Sequence, residues 1–183
     1  TPSIFSPAQN FKPGYYNVAI DTLSNIHVVW VKSLTGELRY SKFEFSSQQW
    51  IIDTLISQTV NYEVRGTSVS VDRNLRVHVA WIDGQDTSVN AEIMYRRSPD
   101  NGISWDNQQN ISNSPGFPSC WQQGDFSGTF SDTLAYAWRE NVNPSGNDNW
   151  DIMLAYTTDG GLNWQTRICS AASGPGQQRD PVS

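Results

Sequence analysis

The sequence predicts an all-β protein, a β-propeller of four-stranded antiparallel blades, with about three blades in 183 residues. Three observations carry this. Eight Trp, seven Tyr and seven Phe stand beside 13 Gly and nine Pro, with only 16% charged residues, the balance of a turn-rich β domain. A short alternating run ending in Trp recurs at Trp30, Trp81 and Trp138, at a spacing of roughly fifty to sixty residues, the length of one propeller blade. An eight-residue pattern, SPDNGISW at Ser98–Trp105, returns as TTDGGLNW at Thr157–Trp164.

Each unit divides into strands a, b, c and d. Strand a is Val18–Ile20, Val69–Val71 and, less regularly, Asp125–Phe130. It leads through Asp21 or Asp72, at a turn position, into strand b: Ile26–Lys32, Val77–Ile82 and Thr133–Arg139. Alternation is clear there, with Ile26, Val28 and Trp30 on one side and His27, Val29 and Val31 on the other. Both sides are apolar, as blades sandwiched between neighbours require. Strand c is Leu38–Phe43, Ala91–Arg97 and Asp151–Thr157; strand d carries Leu55-Ile56-Ser57, Asn110-Ile111-Ser112 and Arg167-Ile168-Cys169-Ser170. His27 and His78 hold the same strand-b position, where the third unit has Ala135, so packing explains them better than catalysis.

These units place blades at about 15–63, 64–119 and 120–178. Ser3-Ile4-Phe5-Ser6 matches a d strand, so residues 1–14 read as the last strand of a preceding blade. Arg179–Ser183 resembles the entrance to strand a, the start of a following one. Three blades do not close a ring, since propellers use about four to eight. The remaining blades come from the same longer chain or from another copy in a six- or seven-bladed ring. The extra strands at both ends favour the longer chain.

The eight-residue pattern falls on the c–d turn, and every part has a structural use there. Asp100 and Asp159 can accept from backbone N–H groups of their own turn. Gly102 and Gly161 permit positive φ, Ser98 and Thr157 add a local hydrogen bond, and Trp105 and Trp164 anchor the turn. These turns resemble the Asp box, or bacterial neuraminidase repeat, of the sialidase-like β-propellers. Asn163 stands where that family usually has Thr or Ser, and the first unit keeps only Trp50 of Ser46-Ser47-Gln48-Gln49-Trp50. Gly124-Asp125-Phe126-Ser127-Gly128 is similar to the Gly-Asp-Tyr-x-Gly run of secreted Asp-box proteins. The resemblance implies a secreted or surface protein. The family's enzymes hold a substrate carboxylate with three arginines and use a Tyr–Glu nucleophile pair and an Asp acid/base. The Phe/Tyr-Arg-Ile-Pro motif that carries the first arginine is absent, so no catalytic residue is carried over, although Arg65 and Arg179 occupy similar places before strand a and Arg139 ends strand b.

Antiparallel order puts the a–b and c–d turns on one edge and the b–c and d–a connections on the other. The second edge has the long connections: b–c loops that lengthen from 33–37 through 83–90 to 140–150, and d–a connections 58–65, 113–123 and 171–180. Binding residues concentrate on such loops. Aromatic side chains stack on sugar C–H faces while polar neighbours bond the hydroxyls. The candidate ligand residues are therefore Arg65, Tyr62, Trp121, Trp150 and Arg179, beside Phe117, with blade-to-blade packing as their other use. The expected function is a non-catalytic propeller module binding a glycan or a protein; part of a sialidase-like exo-glycosidase, or an adhesive structural repeat, are the alternatives.

Charge and cysteine content narrow the partners. A net charge of −6 without a basic run argues against nucleic acid. No apolar stretch suits membrane insertion. No cofactor is expected. Asp83–Asp86 and Asp148-Asn149 could serve a structural calcium ion but lack an EF-hand order. Cys120 and Cys169 could form one disulfide or remain thiols. Asn110-Ile111-Ser112 is also a glycosylation sequon.

Overall fold

A computed structural model of the chain describes residues 11–32, 35–58, 64–84, 91–116, 118–119, 125–127, 132–142 and 150–169. Among them the strands form three antiparallel sheets of four, each in chain order. The first contains β1 (Phe11–Ile20), β2 (Ile26–Lys32), β3 (Glu37–Glu44) and β4 (Gln49–Gln58). The second contains β5 (Val64–Val71), β6 (Val77–Asp83), β7 (Glu92–Ser98) and β8 (Gln109–Asn110). The third contains β9 (Asp125–Ser127), β10 (Leu134–Asn141), β11 (Trp150–Thr157) and β12 (Gln165–Ile168). Three consecutive four-stranded meanders are the blades of a partial propeller.

The strands named a, b, c and d in the sequence are thus the first to fourth of each sheet. The largest departures from expectation lie at the sheet borders. β1 starts seven residues before Val18, with a bulge between Phe11 and Tyr16. β4 starts at Gln49, because Trp50 pairs across from Phe43 and packs against its ring edge-on at 5.4 Å. β8 stops at Asn110, short of the expected Ile111-Ser112. There the Ser112 hydroxyl accepts the Ile93 N–H at 2.9 Å while Ile111 N still donates to the Ile93 carbonyl at 2.9 Å, so a side chain takes over one half of the ladder pair. β12 ends at Ile168; Cys169 beyond it is a half-buried free thiol, and Cys120 lies outside the described residues.

Alternation decides which residues meet between sheets. Val29, Val31, Leu38 and Tyr40 of the first sheet pack against Val77, Val79 and Trp81 of the second. The opposite side of the second sheet, with Ala80, Ile82, Ile93 and Tyr95, packs against Tyr136, Trp138, Met153 and Ala155 of the third. The second sheet is therefore buried on both sides, which is why β6 is apolar at nearly every position. Each large side chain buried in this way contributes about 1.5–3 kcal/mol. The outer side of the first sheet leaves Tyr16, Val18 and Ile20 exposed.

A repeated seam locks neighbouring sheets at the c–d edge. In the first sheet the Asp21 carboxylate accepts from the N–H groups of Leu23 and Asn25, and its Oδ2 meets His27 Nε2 at 3.1 Å. His27 Nδ1 lies 2.7 Å from the Tyr40 hydroxyl. The second sheet repeats this with Asp72, His78 and Tyr95, at 3.3 and 2.7 Å. The carboxylate fixes the proton on Nε2, so Nδ1 accepts from the tyrosine. Each tyrosine then receives the eight-residue turn of the following sheet. The Tyr40 ring meets Trp105 edge-on at 5.1 Å, and Tyr95 meets Trp164 at 4.8 Å. A Cβ on Gly102 would lie 2.4 Å from the Tyr40 hydroxyl oxygen, and one on Gly161 would lie 2.0 Å from that of Tyr95. The glycines thus serve close approach as well as positive φ.

Candidate functional site

The two edges of the sheets differ in chemistry. At the c–d edge the Ser, Thr and Asp side chains of the turns are consumed by hydrogen bonds within them, while the buried Asn101 Oδ1 and the Trp105 and Trp164 indole N–H groups have no hydrogen-bond partner among the described residues. Ser98 Oγ accepts from Gly102 N at 2.7 Å, and Asp100 Oδ1 accepts from Ser104 N at 2.7 Å. Thr157 Oγ1 accepts from Gly161 N at 3.2 Å, and Asp159 Oδ1 accepts from Leu162 N and Asn163 N at 2.9 and 3.0 Å. Asn163 also donates from Nδ2 to Asp159 Oδ2 at 2.8 Å, doing through an amide what the Ser104 hydroxyl does in the first turn. Hydrogen bonds from Thr157 and Asn163 hold Asp159 well below the usual carboxylate range. Trp105 and Trp164 anchor on the preceding sheet rather than on their own, because the facing tyrosine is there.

The histidines belong to the same framework. His27, His78, Tyr40 and Tyr95 are fully buried. Burial pushes both histidines down, against the pull of Asp21 and Asp72, and pushes both tyrosines up. Burial alone would raise Asp72, but His78 and Arg76 hydrogen bonds bring it to about 2. This aspartate–histidine–tyrosine order has the form of a proton relay, but no solvent-facing group completes it, and its tyrosine is covered by the next turn.

At the b–c edge the second and third sheets carry acid groups opposite one another. Position by position, the ladders there bring Lys32 opposite Glu37, Asp83 opposite Glu92, and Glu140 opposite Asp151, with Asn141 opposite Trp150 one place further out. The first is a cation–anion pair at 3.9 Å. The other two are carboxylates facing carboxylates, an arrangement that destabilises a sheet. Burial raises Asp83 above its ordinary range. Burial also raises Glu140, which is 3% exposed, and the Glu92 charge adds to this against hydrogen bonds from Ser114, Ser119 and Trp138. Asp151 is 7% exposed, and its Oδ1 has no hydrogen-bond partner among the described residues.

The connection from β8 towards β9 ties two of these acids together. The hydroxyls of Ser114 and Ser119 donate to Glu140 Oε2 at 2.7 and 2.9 Å, and the Trp138 indole N–H donates at 3.2 Å. Ser114 N donates to Glu92 Oε2 at 3.2 Å, and the Ser112 hydroxyl also donates to that oxygen. Ser119 N bonds the Ala91 carbonyl, and Asn141 N bonds the Pro118 carbonyl, so the connection spans both sheets. Ser114 thus brings Glu92 and Glu140 within two hydrogen-bond lengths of each other, on the order of 6 Å.

The residues singled out in the sequence fall unevenly around this group. Arg65, on β5, pairs across from Ile82, next to the Asp83 position. Trp150 opens β11 opposite Asn141, at the same edge, with the Arg139 guanidinium 4.7 Å from its ring centroid. Arg139 alternates with Glu140, so this cation–π pair occupies the outer side of the third sheet while Glu140 and Asp151 face the second. Tyr62, Phe117, Trp121 and Arg179 lie outside the described residues. Glu92, Glu140 and Asp151 were not singled out as site residues. Their signal was present: the residue two places after each strand-b Trp is Lys32, Asp83 and then Glu140.

Among the described residues, no group of three or more His, Cys, Asp or Glu side chains is arranged to hold a metal ion. No described helix is long and apolar enough to cross a membrane.

No family model and no curated protein sequence matches the chain. Solved structures do. The chain is similar to the Hadza microbial sialidase Hz136, with a TM-score of 0.57 and 15% identity over 83% of this chain and 37% of that one. It is similar to the Penicillium chrysogenum α-L-arabinanase complexed with arabinobiose, with a TM-score of 0.59 and 16% identity over 90% and 52%. It is also similar to the α-L-arabinofuranosidase Arb93A of Fusarium graminearum, with a TM-score of 0.58 and 13% identity over 88% and 50%. These likenesses show the propeller fold, and the chain spans about half or less of each of these proteins.

Proposed function

We propose that this part of a propeller binds glycan at its b–c edge, away from the eight-residue turns. The observation that carries the reading is the facing of Asp83 with Glu92 and of Glu140 with Asp151, beside long connections. A scaffold does not need like charges opposite one another, and the first sheet has Lys32 opposite Glu37 there. Carboxylates accept hydrogen bonds from sugar hydroxyls, and Trp150 and Arg65 border the same edge. Tyr62, Trp121 and Arg179 extend the proposed surface by their places in the sequence. Two of the similar structures are named as an arabinanase and a sialidase, both glycan-directed proteins. The eight-residue turns are proposed as Asp boxes, and an extracellular or cell-surface location goes with them.

A second reading, turnover of the glycan, is favoured by one observation. Glu140 is raised by burial and shares Ser114 with Glu92. Two carboxyls held this close, one of them raised by burial, have the arrangement of the pair that glycoside hydrolysis uses, at roughly 5–10 Å separation. A glycan array and a panel of fluorogenic glycosides, run on the 183-residue chain, test both. Binding without release of fluorophore is expected. Release lost in Glu140→Gln would establish the second reading, and no retention of any glycan would refute the proposal.

A further inference from the structure

The charge of this edge restricts which glycan it takes. The inference rests on the glycan reading above and adds the class of sugar. Glu92, Glu140 and Asp151 gather at one end of the second and third sheets, with Asp83 opposite Glu92. The donors that meet Glu92 and Glu140 are neutral: serine hydroxyls, one backbone N–H and an indole N–H. Arg139, the nearest cation in sequence, is turned to the other side of the third sheet by strand alternation and packs on Trp150.

An independent observation says what is missing. Asp151 is more than nine-tenths buried, stands directly across from Glu140, and finds no donor for Oδ1 among the described residues. Cross-strand partners project from the same side of a sheet, so this oxygen shares the Glu140 side. A buried carboxylate oxygen left unpaired is costly, and a group that donates hydrogen bonds relieves the cost. A sugar hydroxyl donates; an ammonium donates and also neutralises. A sugar carboxylate does neither and meets like charge in a poorly hydrated setting.

We infer that the b–c edge selects glycans without carboxylates, with amino sugars ahead of neutral ones, and rejects sialic and uronic acids. This is opposite to the substrate expected from the sialidase-like resemblance, whose enzymes grip a sugar carboxylate with arginines.

The test measures the full chain by calorimetry against three probes at low and moderate salt: arabino-oligosaccharide, glucosamine oligomer and sialyllactose. The expected order is glucosamine oligomer, then arabino-oligosaccharide, with sialyllactose at least tenfold weaker than the neutral probe. Asp151→Asn should weaken the glucosamine oligomer about tenfold while changing the neutral probe less. Glu92→Gln, more exposed, repeats the comparison should Asp151→Asn fold poorly by circular dichroism. Sialyllactose binding as tightly as the neutral probe overturns the inference and leaves glycan binding standing. Affinity of folded Asp151→Asn and Glu92→Gln for the amino probe equal to that of the unsubstituted chain also overturns it. Binding of none of the probes, in the array as well as by calorimetry, overturns both.

Discussion

Replacing Gly161 by Ala tests the inter-sheet seam, and Gly116→Ala provides its control. Both glycines have φ of +88°. Each substitution therefore pays for an L residue in left-handed backbone, about 1–2 kcal/mol. They differ in surroundings. A Cβ at Gly116 meets nothing within 4 Å; a Cβ at Gly161 meets the Tyr95 hydroxyl oxygen at 2.0 Å and its Cζ at 2.9 Å. Tyr95 is fully buried and bonded to His78 at 2.7 Å, so it has little room to retreat. Overpacking of this kind adds about 1–3 kcal/mol, and loss of the tyrosine–histidine bond about 1 kcal/mol more. Gly161→Ala should thus destabilise by roughly 2–4 kcal/mol beyond Gly116→Ala. Urea unfolding followed by tryptophan fluorescence measures both midpoints, with unchanged slopes required for the comparison. Adding Tyr95→Phe, which removes the closest atom, should recover part of the loss. Equal midpoints for the two alanine variants would show that the turn does not press on the preceding sheet.

Other outcomes follow from the charged groups. Asp72 is held at about 2 in the folded chain, below its ordinary 3.8. Its contribution is therefore complete above pH 4 and is lost as pH falls through about 2; in Asp72→Asn, acid unfolding between those values should be shallower. Glu140 is shifted the other way, above 4.5, so the folded state favours its protonated form. Melting temperature should fall as pH rises from 4.5 towards neutral, and this component should vanish in Glu140→Gln. His78→Ala leaves Asp72 Oδ2 and the Tyr95 hydroxyl short of a partner in a buried place and opens a cavity; a loss of about 3 kcal/mol or more in urea unfolding is expected, against about 1 for Tyr95→Phe.

Much of the architecture was legible because it repeats. Trp30, Trp81 and Trp138 mark the same position in three strands, and the alternation around them gives the two packed sides. The seam was not legible, because its halves belong to different units. Tyr40 and Gly102, or Tyr95 and Gly161, are distant in sequence, and their contact follows from how sheets stack. The short β8 was hidden for a different reason: a serine side chain competes locally with a ladder that composition alone favours. The acid pairs could have been found by extending the Trp alignment two residues into the loops. Their meaning needed the cross-strand register, since Glu92 and Asp151 lie on the far side of long connections.

The seam also has a polarity. One side of a sheet offers the tyrosine that receives, and the turn of the next sheet offers the glycine that enters. The second sheet has both, through Tyr95 and Gly102. The first has the receiver, Tyr40, but Ser47 instead of the box glycine. The third has the entering Gly161, but Ala135 and Leu154 where the histidine and tyrosine would stand. Two locks and two keys are therefore matched within these three sheets, with none left over. The seam thus dictates the internal order of the three sheets, and among the described residues neither outer side offers a tyrosine–glycine lock to a further sheet.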